Sequence, residues 1–138
     1  MITAGAWWRT KGGKFPLTAV HSGSAAVEAY IYGDKLFCDF TDLGSAETVT
    51  ITIPFKLKIV TALLRVTSGG QVASKTITIS NGSDAVSNAM SMTTDKSIVA
   101  PATIDSAYCS VAKAGTIVLT SSAHADGDAV VVLDIIPD

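Results

Sequence analysis

Two histidines, two cysteines and a few clustered carboxylates hold nearly all the chemistry this 138-residue chain could attempt. His21 lies in Val20-His21-Ser22-Gly23 and His124 in Ala123-His124-Ala125, settings of small residues that read as surface loops. A Ser–His–Asp triad is arithmetically available, but no Gly-x-Ser-x-Gly elbow presents a nucleophile to either ring. Zinc would need its Cys and His ligands in close pairs, whereas these four are scattered singly. Asp126-Gly127-Asp128 has the start of a calcium loop without the later Asp or Asn and the closing Glu, and a turn accounts for it. Asp39 and Asp42 in Asp39-Phe40-Thr41-Asp42 read as a turn closed by Asx hydrogen bonds. Lys11-Gly12-Gly13-Lys14 has the composition of a phosphate loop, but no strand precedes it and no Ser or Thr follows on a helix. Cys38 and Cys109 lack CxxC spacing and read as buried free thiols. The expectation is a protein with no catalytic group, no metal and no cofactor.

The elements that would carry these residues are mostly strands. Thr48-Val49-Thr50-Ile51-Thr52-Ile53 alternates threonine with β-branched apolar residues, the period of a half-buried strand, and Pro54 ends it. Ile59 to Thr67 is a second strand, read with Val60, Ala62, Leu64 and Val66 on one face. Lys75 to Ser80 puts Ile77 and Ile79 inward before the turn signal Asn81-Gly82. Ala26 to Tyr32, Gly33-Asp34-Lys35 and Leu36 to Phe40 read as a first hairpin, with a helix over 24–32 as the competing reading. Short helices are expected after Asp84, from the spacing of Val86, Ala89 and Met90, and from Asp105 to Ala112. Thr116–Ser121 and Ala129–Ile136 are expected to pair as a closing hairpin, and the apolar residues on both faces of the last strand require cover on both sides.

These elements predict an all-β fold, a jelly-roll or Greek-key β-sandwich over residues 26–138, preceded by an extended N-terminal arm over residues 1–25. The arm holds both tryptophans, Trp7 and Trp8, and a basic cluster of Arg9, Lys11 and Lys14. Adjacent tryptophans are costly to leave in water, so they either fold back on the core, enter a partner or stack on a ligand.

Composition narrows the function. Charged residues are 16% of the chain, against roughly 25% in an average soluble domain, and 48% is apolar. A surface rich in Ser, Thr, Ala and Gly is cheap to desolvate and suits a protein that lies against neighbours. A net charge of −2 argues against nucleic acid or an anionic membrane as partner. No apolar run approaches the roughly 18 residues that cross a bilayer. Met1-Ile2-Thr3-Ala4 lacks the features of a signal peptide, which predicts synthesis in the cytoplasm.

Several stretches resemble a known family. Phe40-Thr41-Asp42-Leu43-Gly44, the alternating Thr/Ile strand, and Ile53-Pro54-Phe55-Lys56-Leu57-Lys58-Ile59-Val60 are similar to small head proteins of tailed bacteriophages. So are Ile77-Thr78-Ile79-Ser80-Asn81-Gly82 and Ala114-Gly115-Thr116-Ile117-Val118-Leu119-Thr120 followed by an apolar final strand; the likeness spans roughly residues 36–136. The chain most resembles the jelly-roll cement proteins that decorate capsids. The resemblance implies a virion protein made in the host cytoplasm, with the major capsid protein as partner and a homodimer or homotrimer as its own state. On this reading Trp7, Trp8, Arg9, Lys11 and Lys14 are the capsid-docking arm, and Val130, Val132 and Ile136 on the second face of the final strand form a self-interface. Competing readings are a carbohydrate-binding or adhesin sandwich using Tyr30, Tyr32, Trp7 and Trp8, and a tail or baseplate component. An enzyme on a cupin-like scaffold would need the histidine cluster that is missing.

Overall fold

Alternation of β-branched and polar residues sets the local structure, and the pairing of those strands sets the rest. The computed structural model describes residues 14–23, 26–41, 46–68, 76–82, 84–91, 98–100, 103–122 and 128–137. Among them the strands are β1 (Phe15–His21), β2 (Ala26–Tyr32), β3 (Lys35–Thr41), β4 (Thr48–Thr52), β5 (Leu57–Ser68) and β6 (Thr76–Ser80). They continue with β7 (Met90–Ser91), β8 (Ile98–Val99), β9 (Ser110–Val111), β10 (Thr116–Ser121) and β11 (Asp128–Pro137). All pairings are antiparallel, in the order β7-β6-β10-β4-β1-β2-β3-β11-β5-β8, with β9 also on β5. The all-β expectation is met by a curled antiparallel sheet, a half-barrel.

The curl turns on β1. Phe15–Leu17 pair with β2, and Thr18–His21 pair with β4. The strand therefore leaves one wing of the sheet and enters the other. One wing is β2-β3-β11-β5 and the other is β4-β10-β6. Their inner faces form one core. Ile31, Leu36, Phe40, Leu64, Val131 and Leu133 come from the first wing, and Val49, Ile51, Ile117, Leu119, Ile77 and Ile79 from the second. Phe15 meets Phe55 edge-on, ring centroids 5.8 Å apart, where the wings join.

Several expectations change. Phe15–His21, assigned above to the arm, are built into the sheet as β1. The closing hairpin does not form: β10 pairs with β4 and β6, while β11 pairs with β3 and β5, so the chain crosses between wings there. No helix occurs among the described residues. Val86 and Met90 are buried beside strands, with Val86 N–H donating to the Ile79 carbonyl at 2.8 Å. Asp105 closes a turn, its Oδ1 accepting from Ala107 N–H at 2.9 Å, and the chain then enters β9. Val60 faces outward rather than sharing a face with Ala62. The cause is a bulge: Asp134 pairs with Thr61 and Ile135 with Ile59, leaving Val60 as the extra residue. The bulge resets the alternation, so Leu57 and Ile59 point inward before it and Ala62, Leu64 and Val66 after it.

The β2–β3 hairpin is as the sequence predicts. Tyr32 pairs with Lys35, and Gly33 at φ +63° occupies the first central position of a two-residue loop, where a type II′ turn places glycine. The Asp34 carbonyl then accepts from Ile135 N–H at 2.9 Å, tying the turn to β11.

Candidate docking surface

The chemically minded residues do not assemble into a site. His21 is the last residue of β1 rather than a loop residue; it is half-buried, and its Nδ1 is buried without a hydrogen-bond partner. His124, Asp42, Asp126 and Gly127 lie outside the described residues. Asp39 stands on the outer side of β3 instead of in a turn. Cys38 and Cys109 are both buried and unbridged. Among the described residues, no group of three or more His, Cys, Asp or Glu gathers to hold a metal ion.

Strand register produces a different kind of site on the outer face of the β2-β3-β11-β5 wing. Inner positions alternate with outer ones, so residues opposite one another share a face. Tyr30 is opposite Phe37, Phe37 opposite Val132, and Val132 opposite Leu63. Pro16 on β1 extends this line at the Tyr30 end. The result is an apolar row across five strands on the side of the sheet away from the core. Tyr30 and Phe37 stack, ring centroids 5.1 Å apart, and the Lys14 ammonium lies 4.5 Å above the Tyr30 ring.

Charged and apolar residues are interspersed along both flanks of the row. On one side Tyr32, Lys35, Asp134 and Thr61 are successive cross-strand neighbours. Lys35 Nζ donates to Asp134 Oδ1 and Thr61 Oγ1 donates to Asp134 Oδ2. The Lys35 hydrogen bond, followed by that from Thr61, holds the Asp134 carboxyl below the usual carboxylate range. On the other side the sequence of neighbours is Glu28, Asp39, Val130, Arg65 and Ile98. Lys14 Nζ reaches Glu28 Oε1 at 3.4 Å. These ion pairs are solvent-exposed and worth about 0–1 kcal/mol each, so they orient the surface more than they stabilise the fold.

The face is unusually apolar for an exposed one. Of the large hydrophobic residues left in solvent among the described residues, Tyr32, Val60, Ile98 and Ile136 lie on it, with exposures of 57%, 46%, 66% and 41%. An open hollow of about 530 Å³ lies between Tyr32, Phe37, Val60 and Ile136, with Lys35 and Asp134 in its wall. The outer face of the other wing contrasts with it. Thr18, Thr50, Thr52, Thr116, Thr120 and Thr78 dominate there, with Val20 the one large hydrophobic residue left well exposed among the described residues of that face, and among the described residues no strand position on it carries a charge.

Val130, Val132 and Ile136, expected as a self-interface, do share the outer side of β11. Asp134 stands between Val132 and Ile136 and puts a charge within that set. Tyr30, Phe37 and Leu63 share the same face. Their signal was present in unbroken apolar runs such as Ala62-Leu63-Leu64, where a strand with one buried face has no need of the middle residue. Of the expected docking arm only Lys14 is described; Trp7, Trp8, Arg9 and Lys11 lie outside the described residues.

No known family model and no curated protein matches the chain. Among solved structures it is similar to a chain of a "Cyanophage Pam1 capsid asymmetric unit", at 15% identity and a TM-score of 0.46, covering 100% of this chain and 98% of that one.

Proposed function

We propose that this chain is a structural protein of a bacteriophage particle that decorates the outer surface of the capsid and cements it by bridging major capsid protein subunits. The observation that carries the reading is the apolar row Tyr30–Phe37–Val132–Leu63, set on an outer sheet face between flanking charges. Such a face offers shape, area and orientation to a protein neighbour. The resemblance to jelly-roll cement proteins points the same way, and nothing in the reading requires a catalytic step. Modest individual contacts suffice, because many copies on a symmetric lattice act together. The arm residues Trp7, Trp8, Arg9 and Lys11 supply a second contact, continuing from Lys14 at the rim of the face.

Co-sedimentation of the purified full chain with empty phage shells tests this. Wild type is expected to pellet with shells, and Trp7→Ala/Trp8→Ala is expected to remain in the supernatant with its circular dichroism unchanged. Retention of shell binding by that variant, or its unfolding in isolation, would overturn the arm assignment. Failure of the wild type to bind shells would overturn the cement reading.

One observation favours a second reading. Tyr32 and Phe37 beside the Lys35–Asp134 pair combine aromatic surface with fixed polar groups, as a carbohydrate-binding module does. Screening on a glycan array separates the two. Mild stepwise dissociation of purified particles separates a head location from a tail or baseplate one.

A further inference from the structure

We infer that Asn81 is a site of spontaneous deamidation in the folded chain, and that its side-chain amide is a latch between the two wings which the reaction opens. The residues concerned lie away from the docking face, so the inference does not depend on what that face meets.

Asn81 directly follows β6, a strand of the second wing. Its backbone N–H donates to the Asp84 carbonyl at 3.0 Å, closing the turn that ends β6. Its Nδ2 donates to the Tyr108 carbonyl at 2.8 Å. The next carbonyl along, that of Cys109, accepts from Ile59 N–H at 2.8 Å. Ile59 is on β5, in the first wing, so successive carbonyls tie this turn to opposite wings. Other ties run from the same segment to the chain after β6. Asp105 N–H donates to the Val86 carbonyl at 2.8 Å, and Thr103 N–H to Asn88 Oδ1 at 3.2 Å. The Asn81 amide is the tie nearest β9.

The residue after Asn81 leaves it open to attack. Glycine has no Cβ to shield its own backbone nitrogen. Gly82 is exposed at φ +102°, and an added Cβ there would meet only Thr116 Oγ1, at 3.6 Å. Among the described residues its N–H finds no acceptor, while its carbonyl accepts from Ser80 Oγ. The nitrogen can therefore lose its proton to hydroxide and attack Asn81 Cγ. The N–Cγ bond closes a five-membered imide, the Cγ–Nδ2 bond breaks, and Nδ2 takes a proton from water and leaves as ammonia. Water then opens the ring. Addition at Cγ gives aspartate; addition at the Asn81 backbone carbonyl gives isoaspartate, whose main chain runs through Cβ and Cγ. In sum, an amide and water become a carboxylate and ammonium, with no oxidation or reduction. Asn88, the other asparagine of the chain, precedes Ala89 and has its Oδ1 engaged by Thr103 N–H, so it is an internal control.

Both products remove the donor. An ionised carboxylate only accepts hydrogen bonds, so it cannot hold the Tyr108 carbonyl. It also adds a like charge three residues from Asp84. Until then the bond to Tyr108 fixes the amide in one orientation and slows ring closure.

Incubation of the full chain at pH 8, folded or in urea, followed by peptide mass spectrometry, tests the site. The folded chain is expected to gain about 1 Da at Asn81 and nothing at Asn88, severalfold more slowly than the chain in urea. Each event adds one negative charge to a chain of net charge −2, so native isoelectric focusing follows the same reaction. Asn81→Gln keeps an amide but needs a larger ring to react, and is expected to show no gain. Native-state hydrogen exchange tests the latch. The aged chain and fresh Asn81→Asp are each expected to exchange about two- to tenfold faster than fresh wild type over residues 103–111, the range that loss of one hydrogen bond gives, with β2, β3 and β11 unchanged. No gain at Asn81 in the folded chain, or an equal gain at Asn88, would overturn the site. Equal rates folded and in urea, or exchange over 103–111 that neither ageing nor Asn81→Asp moves, would overturn the latch.

Discussion

Tyr30 and Phe37 lie face to face across the β2–β3 pair, their ring planes 16° from parallel. The stack sits outside the core, so it contributes to the fold as well as to the surface it presents. Replacing Phe37 with Ala removes a half-buried ring and its partner contact. The expected loss is about 1–2 kcal/mol, smaller than for a core phenylalanine because one side of the ring is in solvent. Urea unfolding followed by circular dichroism measures it, and a loss near zero would mean that the stack does not persist in solution.

Gly23 closes the β1–β2 connection at φ +75°, a conformation that a side chain opposes. A Cβ there would also meet the Glu47 carboxylate. Gly23→Ala is expected to cost about 1–2 kcal/mol, mostly from the backbone, since the end of a Glu side chain can move aside. Adding Glu47→Ala to Gly23→Ala should therefore recover little. Full recovery in the double variant would assign the cost to the clash instead.

Asp134 should leave a small acid signature. Its folded-state pKa is depressed by Lys35 and then Thr61, so the stabilisation is present at neutral pH and is lost as the pH falls from the ordinary carboxylate value through the lower folded one. The side chain is 41% exposed, which screens the pair and keeps the effect small. Wild type is expected to exceed Asp134→Asn slightly in urea midpoint near pH 7, with the two converging in strong acid. Parallel curves throughout would show that the carboxylate contributes nothing to stability.

The Cys38 thiol should be inert in the folded protein. Burial pushes its pKa up to about 12, and the neighbouring Asp39 adds in the same direction. In a Cys109→Ser variant, which leaves Cys38 as the one thiol, a disulfide reagent at pH 8 is expected to react only as fast as the protein opens. The rate should rise with urea. Prompt reaction in native buffer would show that the β3 interior is accessible.

Much of the sheet was legible wherever a strand has one buried face. Thr48–Thr52 and Thr76–Ser80 alternate threonine with isoleucine or valine, and the period is enough to assign them. Strands β7, β8 and β9 are two residues each, too short to carry any period. Val86 and Met90 are spaced as on a helix because both contact one core from a bent chain. The closing hairpin failed for another reason. A short polar connection between two strands is compatible with pairing inside one wing or with crossing to the other, and local residues do not distinguish these. The docking face was half legible: the outward apolar residues of β11 could be named, but their neighbours Phe37 and Leu63 follow from register, which a single strand does not contain.

Strand β1 has a mechanical consequence. Three of its residues are paired with β2 and the other four with β4. A pull arriving from the N-terminal side along that strand meets both sets of hydrogen bonds in shear, so they share the load and do not unzip one after another. An anchor attached ahead of Lys14 would thus hold against tension until both layers yielded together.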